Sequence, residues 1–407
     1  MTACTVEEFH TRLASGELQG AQRIQFQGPL PAIPPAIYAL ADTLEILDVS
    51  NTGLCALPED LPRLHKLRVL FASGNPFTSL PTVLGRMPAL QMVGFKSCRI
   101  VDVPADSLPA ALRWLILTDN QITTLPDALG QCQHLQKLML ACNKLHAIPA
   151  SIAACERLEL LRLSSNQLPH LPAALLKLPR LAWLALSGNP FTEQAETQAL
   201  QQANLPTWQM DEVQLGTQLG QGASGHVYAA QTRHHAAPIA VKQFKALRTS
   251  DGSPQAELAA SLACGQHPHL LTPLAQITDA SSALPATAFT LLPASYAALA
   301  APPDFTSCTR DVYRTTLPLN AAQAATVMAQ LRSAVEHMHA RGITHGDVYG
   351  HNLLWSADTG SAMLSDFGAA SLIQYLPQAQ QQALMDMELR AVEILQTELF
   401  LHSTLLP

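Results

Sequence analysis

Charge is scarce in this sequence. Only 14% of its 407 residues are Asp, Glu, Lys or Arg, against 48% hydrophobic, and the net charge is −7. So apolar a chain can bury enough surface to fold, which excludes extended disorder. Basic surface is short as well: residues 1–204 hold 15 basic and 16 acidic groups, and residues 205–407 hold 9 and 15. Neither half offers the positive field that binding a phosphate backbone needs, so nucleic acid is excluded as a partner. The eight cysteines include no C-x-x-C pair and read as buried thiols of a reducing compartment. No apolar run suits a membrane span: the longest uncharged stretch, 280–303, is broken by Pro285, Pro293, Pro302 and Pro303. The opening "MTACTVEEFH" lacks a basic region followed by an apolar core, so no signal peptide is read there and the expected location is the cytoplasm.

What the chain does have is a period. Leu44, Leu67, Leu90, Leu112, Leu135, Leu158 and Leu181 open similar segments spaced by 23, 23, 22, 23, 23 and 23 residues. In the fourth, Leu112, Leu115, Leu117, Asn120, Ile122, Leu125 and Pro126 spell L-x-x-L-x-L-x-x-N-x-L-x-x-L-P. Asn75, Asn143, Asn166 and Asn189 recur at the asparagine place, with Thr52 and Cys98 substituting in two repeats. Alternating leucines predict a short strand whose inner face fills a shared core, and one coil cannot bury that face alone, so coils must stack. The asparagine side chain can bond backbone groups where the chain leaves the strand. This half resembles the leucine-rich repeat family, whose members bind partners through the concave strand face. The strand positions predicted to face outward form a column rich in apolar groups: Phe71, Met92, Trp114, Ile116, Met139 and Trp183. Such a column marks either a protein-binding surface or packing against flanking segments. "RIQFQGPLPAIP" (23–34) reads as a degenerate first coil, and 192–204 as a capping helix begun by Thr192.

After Leu205 the period stops and a second pattern begins. Gly220, Gly222 and Gly225 form G-x-G-x-x-G, a weak signal alone because dinucleotide-binding folds share it. Here "HVYAAQT" follows, a β-like run instead of a helix, which favours a glycine-rich hairpin turn over phosphates. Lys242 then sits in the strand-like "IAVK", Glu257 in the helical "PQAELAASLA", His345-Gly-Asp347 precedes Asn352, and Asp366-Phe-Gly closes the series. These five elements, in this order, resemble the eukaryotic-type protein kinases. The combination with repeats, and the "HGD" form of the loop, resembles a bacterial leucine-rich repeat protein kinase family.

The resemblance implies roles. The three glycines would let backbone amides approach the phosphates of ATP. Lys242 would bind those phosphates and pair with Glu257, while Val227, Ala240 and Leu354 would enclose the adenine. Asp347 would orient and deprotonate an acceptor hydroxyl, and Asn352 and Asp366 would hold Mg²⁺. Three departures stand out: Gly346 where arginine is usual, Tyr349 where many serine/threonine kinases carry lysine, and only 39 residues after the Asp366-Phe-Gly triplet. In that remainder, "ELRAVEIL" (388–395) resembles a degenerate form of the helix that supports the catalytic loop, with Glu388 for the usual aspartate. The expected fold is therefore an α/β leucine-rich repeat solenoid followed by an α+β two-lobed kinase-like domain with a truncated C-lobe. The expected divisions are 1–43 (cap and degenerate repeat), 44–191 (repeats), 192–210 (capping helix and linker) and 211–407 (kinase-like). The function expected is ATP-dependent phosphorylation of serine or threonine, with the repeats binding a protein partner. The alternative is a repeat scaffold whose kinase-like half binds nucleotide without catalysis.

Overall fold

The computed structural model describes residues 2–222, 224–313, 317 and 319–403. Each period folds as a three-residue strand and a return leg. The strands are β1 (Thr2–Cys4), β2 (Arg23–Phe26), β3 (Ile46–Asp48), β4 (Val69–Phe71), β5 (Met92–Gly94), β6 (Trp114–Ile116), β7 (Lys137–Met139), β8 (Leu160–Arg162) and β9 (Trp183–Ala185), and they form one sheet in sequence order. Between β1 and β2 runs helix α1 (Val6–Ala14), fixed at its start by a reciprocal pair: Thr5 Oγ1 accepts from Glu8 N, and Glu8 Oε2 accepts from Thr5 N at 2.8 Å.

The register advances by one repeat from strand to strand, so Leu47, Leu70, Val93, Leu115 and Leu138 stand side by side. All five are essentially buried. Return legs such as Asp127–Gln131 and Ala150–Ala154 are short 3₁₀ turns that follow Pro126 and Pro149. The asparagine ladder is also present. Asn143 Nδ2 donates to Leu117 O of the preceding coil and Leu140 O of its own, and its Oδ1 accepts from Ile122 N. Asn75 and Asn120 repeat this arrangement. Each buried amide thus satisfies backbone groups that the turn would orphan. The substituted rungs are filled differently: Thr52 Oγ1 donates to Val49 O, and the Cys98 thiol points at Ala72 O.

By compactness the chain divides into Met1–Leu161 with Asn166–Leu181, and Arg162–Ser165 with Ala182–Pro407. The second unit therefore includes four residues from the end of β8 onward and all of β9. Its first helix, α2 (Pro190–Gln202), starts two residues earlier than expected. Pro190 takes the first helical position, Asn189 is the cap, and Thr192 lies at the third position, its hydroxyl accepting from Asn189 N.

Next come β10 (Thr207–Gln209), β11 (Val213–Gln221), β12 (Gly225–Thr232), β13 (His235–Phe244), helix α3 (Pro254–Cys264), β14 (Pro273–Asp279) and β15 (Ser282–Thr290). Their sheet order is β10-β14-β15-β13-β12-β11. Trp208, Ile239, Val241, Ile277 and Ala288 fill its core. The remainder holds β16 (Tyr296–Ala298), α4 (Ala321–His339), β17 (Ile343–Thr344), β18 (Leu353–Ser356), β19 (Ala362–Leu364), β20 (Ser371–Leu372) and α5 (Gln378–His402). After the Asp366-Phe-Gly triplet, α5 is the single α-helix among the described residues.

Cys55 is exposed, Cys98 half-buried and the other six thiols buried, and no disulfide joins any of the eight. Among the described residues no helix is long and apolar enough to cross a membrane.

Candidate active site

The glycine-rich stretch joins β11 to β12 as a hairpin, with Gly222 N donating to Gly225 O at 2.9 Å. Val227 pairs with Lys242 across β12 and β13, which sets both above one cavity of about 280 Å³. Gly222, Gly225, Val227, Ala240, Leu354 and Phe289 line the cavity, and Lys242, Glu257, Asn352 and Asp366 supply its polar groups. Gly220 stands outside it, on the exposed edge of β11.

Ser253 caps α3 by accepting from Ala256 N, and this places Glu257 in the first turn, facing β13. Lys242 Nζ reaches Glu257 Oε1 at 2.6 Å and Asp366 Oδ1 at 3.1 Å. Burial alone would drive the lysine neutral, but the two carboxylates outweigh it and raise its pKa. Burial pushes the Glu257 carboxyl up to about 7, with Lys242 pulling the other way. Asp366 is held below the usual carboxylate range, chiefly by Lys242. Its backbone is left-handed at φ +62°, so its carboxylate turns back to accept from Gly368 N.

Asp347 is bonded to Asn352, which lines the cavity. Asn352 Nδ2 donates both to Asp347 O and to Asp347 Oδ2, each at 2.9 Å, which explains the five-residue step between them. The loop is anchored from behind by Glu388 of α5, whose carboxylate accepts from Gly346 N at 2.7 Å and meets His339 Nε2 at 2.8 Å. His345 is fully buried against Ser365 O, and burial lowers its pKa. Asp311, which nothing in the sequence marked, receives Gly350 N and His351 Nδ1, both at 2.6 Å, and fixes the turn after the loop.

The loop is held from a second direction. Trp183 was expected on a solvent-facing column; it is 1% exposed, its ring stacked on Tyr349 at 4.5 Å and its Nε1 donating to Val348 O at 3.0 Å. Met92 and Met139 of the same column are buried too, while Phe71, Trp114 and Ile116 are half-buried. All six stand on the strands that the repeat spacing predicts, but that spacing carries no information on what covers them. Arg162, which closes β8, is 2% exposed. Its Nε donates to Asp251 Oδ1 at 2.6 Å, its Nη1 to Gly346 O at 3.1 Å, and its Nη2 to Asp347 Oδ1. Burial works against its charge, yet Asp347 and Asp251 prevail and raise its pKa. At the equivalent strand positions (Asp48, Phe71, Gly94, Ile116, Met139, Ala185) no other basic residue stands, and that was the visible signal for it.

The profile of the protein kinase domain matches residues 213–403, and that of the leucine rich repeat matches 110–168 and 133–191. The chain is a leucine-rich repeat protein with a C-terminal protein kinase domain. Among curated proteins it is similar to the plant intracellular Ras-group-related LRR protein 8 of Oryza sativa subsp. japonica, 30% identical over 28% of this chain and 25% of that one. It is also similar to the negative regulator of sexual conjugation and meiosis of Schizosaccharomyces pombe, 30% identical over 39% of this chain and 32% of that one. The chain thus spans a quarter to a third of the length of these relatives. Among solved structures, an internalin from Listeria monocytogenes aligns with 41% of this chain and 48% of its own, at 20% identity and a TM-score of 0.36.

The kinase domain's donor set suits the groups its family uses. An apolar slot ending in one lysine matches a flat base followed by phosphates, and the side-chain oxygens of Asn352 and Asp366 are the hard ligands that Mg²⁺ prefers. The departures in its loop have physical causes. Gly346 has φ +71°, and a Cβ there would stand 2.6 Å from both Leu184 O and Ala369 O, so arginine has no room. Tyr349 is buried between Trp183 and the Thr309 carbonyl, to which its hydroxyl donates at 3.1 Å.

Proposed function

We propose that the kinase domain binds ATP with Mg²⁺ and transfers the γ-phosphoryl group to a protein serine or threonine. The observation that carries this reading is the closed set Lys242–Glu257 and Lys242–Asp366 in one cavity, with Asp347 oriented by Asn352 beside it. Lys242, kept charged by two carboxylates, offers a fixed cation to the α- and β-phosphates. Val227, Ala240 and Leu354 exclude water from the base. Asp347 accepts the proton of the incoming hydroxyl and aims its oxygen at the γ-phosphorus. Bound through Asn352 and Asp366, Mg²⁺ would neutralise charge on the phosphate oxygens. The choice of serine or threonine rests on the family resemblance, and phosphoamino-acid analysis of the product decides it. Phe71, Trp114 and Ile116, half-buried on their strands, are proposed to contribute to a protein-binding surface of the repeats.

A second reading, nucleotide binding without transfer, is favoured by the salt bridge on Asp347 and by Tyr349. One experiment separates the two. The whole chain, Asp347→Asn and Asp366→Asn are assayed for transfer of labelled phosphate to themselves and to a generic substrate, alongside thermal stabilisation by ATP and Mg²⁺. The enzyme reading expects Asp347→Asn to lose transfer by about 10²–10⁴-fold while keeping nucleotide stabilisation. It expects Asp366→Asn to lose both. Equal transfer by wild type and Asp347→Asn refutes it in favour of the second reading.

A further inference from the structure

We infer that Arg162 is a positioning residue for phosphoryl transfer, supplying to Asp347 the neighbouring cation that the catalytic loop itself lacks at Tyr349. This rests on the enzyme reading above.

Phosphoryl transfer asks for a carboxylate held in one orientation, with positive charge close by where phosphate oxygens gather. Neither Gly346 nor Tyr349 provides that charge, and the one ring nitrogen of His351 that faces a carboxylate is committed to Asp311. Gly346 has no side chain, and Tyr349 is spent on the Trp183 stack and the Thr309 carbonyl. Arg162 fills the gap from elsewhere in the same compact unit. Its fork binds the loop twice, through the carbonyl of Gly346 and the carboxylate of Asp347, and its remaining edge is tied down by Asp251. Asp251 is in turn bonded by Ser250 Oγ at 2.7 Å.

The two oxygens of Asp347 therefore have different keepers, Oδ1 held by Arg162 and Oδ2 by Asn352. That fixes the plane of the carboxylate. Each oxygen accepts one of these bonds and retains a lone pair, and the side chain keeps 19% exposure, so a hydroxyl can still reach it. A latch that shut the enzyme off would instead need to seal Asp347. The planar guanidinium also matters: three acceptors lie around it in a fork that a lysine ammonium could not span.

The test measures kcat and KM for ATP in the whole chain and in Arg162→Gln and Arg162→Lys, with stabilisation by ATP and Mg²⁺ as the check on folding. Arg162→Gln is expected to lower kcat by about 30- to 100-fold with KM for ATP within about twofold of wild type, the split that a misplaced base produces. Arg162→Lys keeps the charge and loses the fork, and is expected to recover about tenfold of that loss. Should Arg162→Gln fail to fold, Arg162→Lys decides alone, with kcat below wild type expected. A kcat equal to wild type or higher, in whichever folded variant is read, overturns the inference and leaves the kinase reading standing. Absence of transfer by the wild type overturns both, since no reaction would remain for Arg162 to serve.

Discussion

Replacing Gly346 by alanine isolates the strain that the catalytic loop imposes on this position. The residue sits at φ +71°, and the added methyl would lie 2.6 Å from two backbone oxygens, those of Leu184 and Ala369. Neither oxygen belongs to a flexible side chain, so the contact is relieved only by moving β9 or the segment after the Asp366-Phe-Gly triplet. The left-handed backbone costs an alanine about 1–2 kcal/mol. The overlap adds about 1–3 kcal/mol. The stiffer unfolded chain returns about 0.4–1 kcal/mol. A net loss of about 3 kcal/mol follows, which for a unit of this size lowers Tm by about 10 °C. Gly360→Ala is the matched control: its φ is +67°, but nothing lies within 4 Å of the added carbon, so only the backbone cost applies and the net loss is about 1 kcal/mol or less. Urea unfolding followed by tryptophan fluorescence reads both, because Trp183, Trp208 and Trp355 belong to the second unit. If the two variants unfold at the same urea concentration, the close approach of Leu184 O is not what keeps this position glycine.

Two further outcomes are expected. Trp183→Ala should destabilise by about 3–5 kcal/mol, since it empties a buried site and strands Val348 O, whereas the half-buried Trp114→Ala should lose about 2 kcal/mol; equal losses would put Trp183 outside the core. His351 is raised above its ordinary value because its bond to Asp311, with Asp347 and Asp366 nearby, overcomes the opposing effect of burial. A raised histidine stabilises fully below its unfolded value of about 6.5, and that contribution is lost as pH rises through the folded value. The stability gap between wild type and His351→Gln should therefore be wider at pH 5.5 than at pH 9, and a gap that widens with pH contradicts the pairing. His345, lowered by burial, acts in the opposite sense but is common to both proteins and cancels from the difference.

The parts legible in the sequence were those whose partners lie at fixed offsets. The asparagine rungs bond backbone three residues and about one repeat earlier, as Asn143 does with Leu140 and Leu117, so periodicity carries them. The Asp347–Asn352 step is local in the same sense, and Lys242 and Glu257 stand on neighbouring elements fifteen residues apart. Arg162 meets Asp251 across 89 residues and Asp347 across 185, and Trp183 meets Val348 across 165. No local pattern encodes such separations. The same distance explains the misjudged Trp183: counting from Leu181 placed it on its strand, but the neighbours that bury it are encoded far along the chain. It also explains why Gly346 and Tyr349 looked like losses when read alone.

The chain enters its second compact unit at Arg162, leaves it after Ser165 and returns at Ala182, so the two units share the thread three times over. A gene fragment cut where the kinase profile begins, at residue 213, would encode Asp347 and Tyr349 without Arg162 or Trp183. The kinase domain is for that reason not a portable cassette. Recombination that swapped it onto another repeat array would transmit the kinase motifs and discard two of the side chains that hold them.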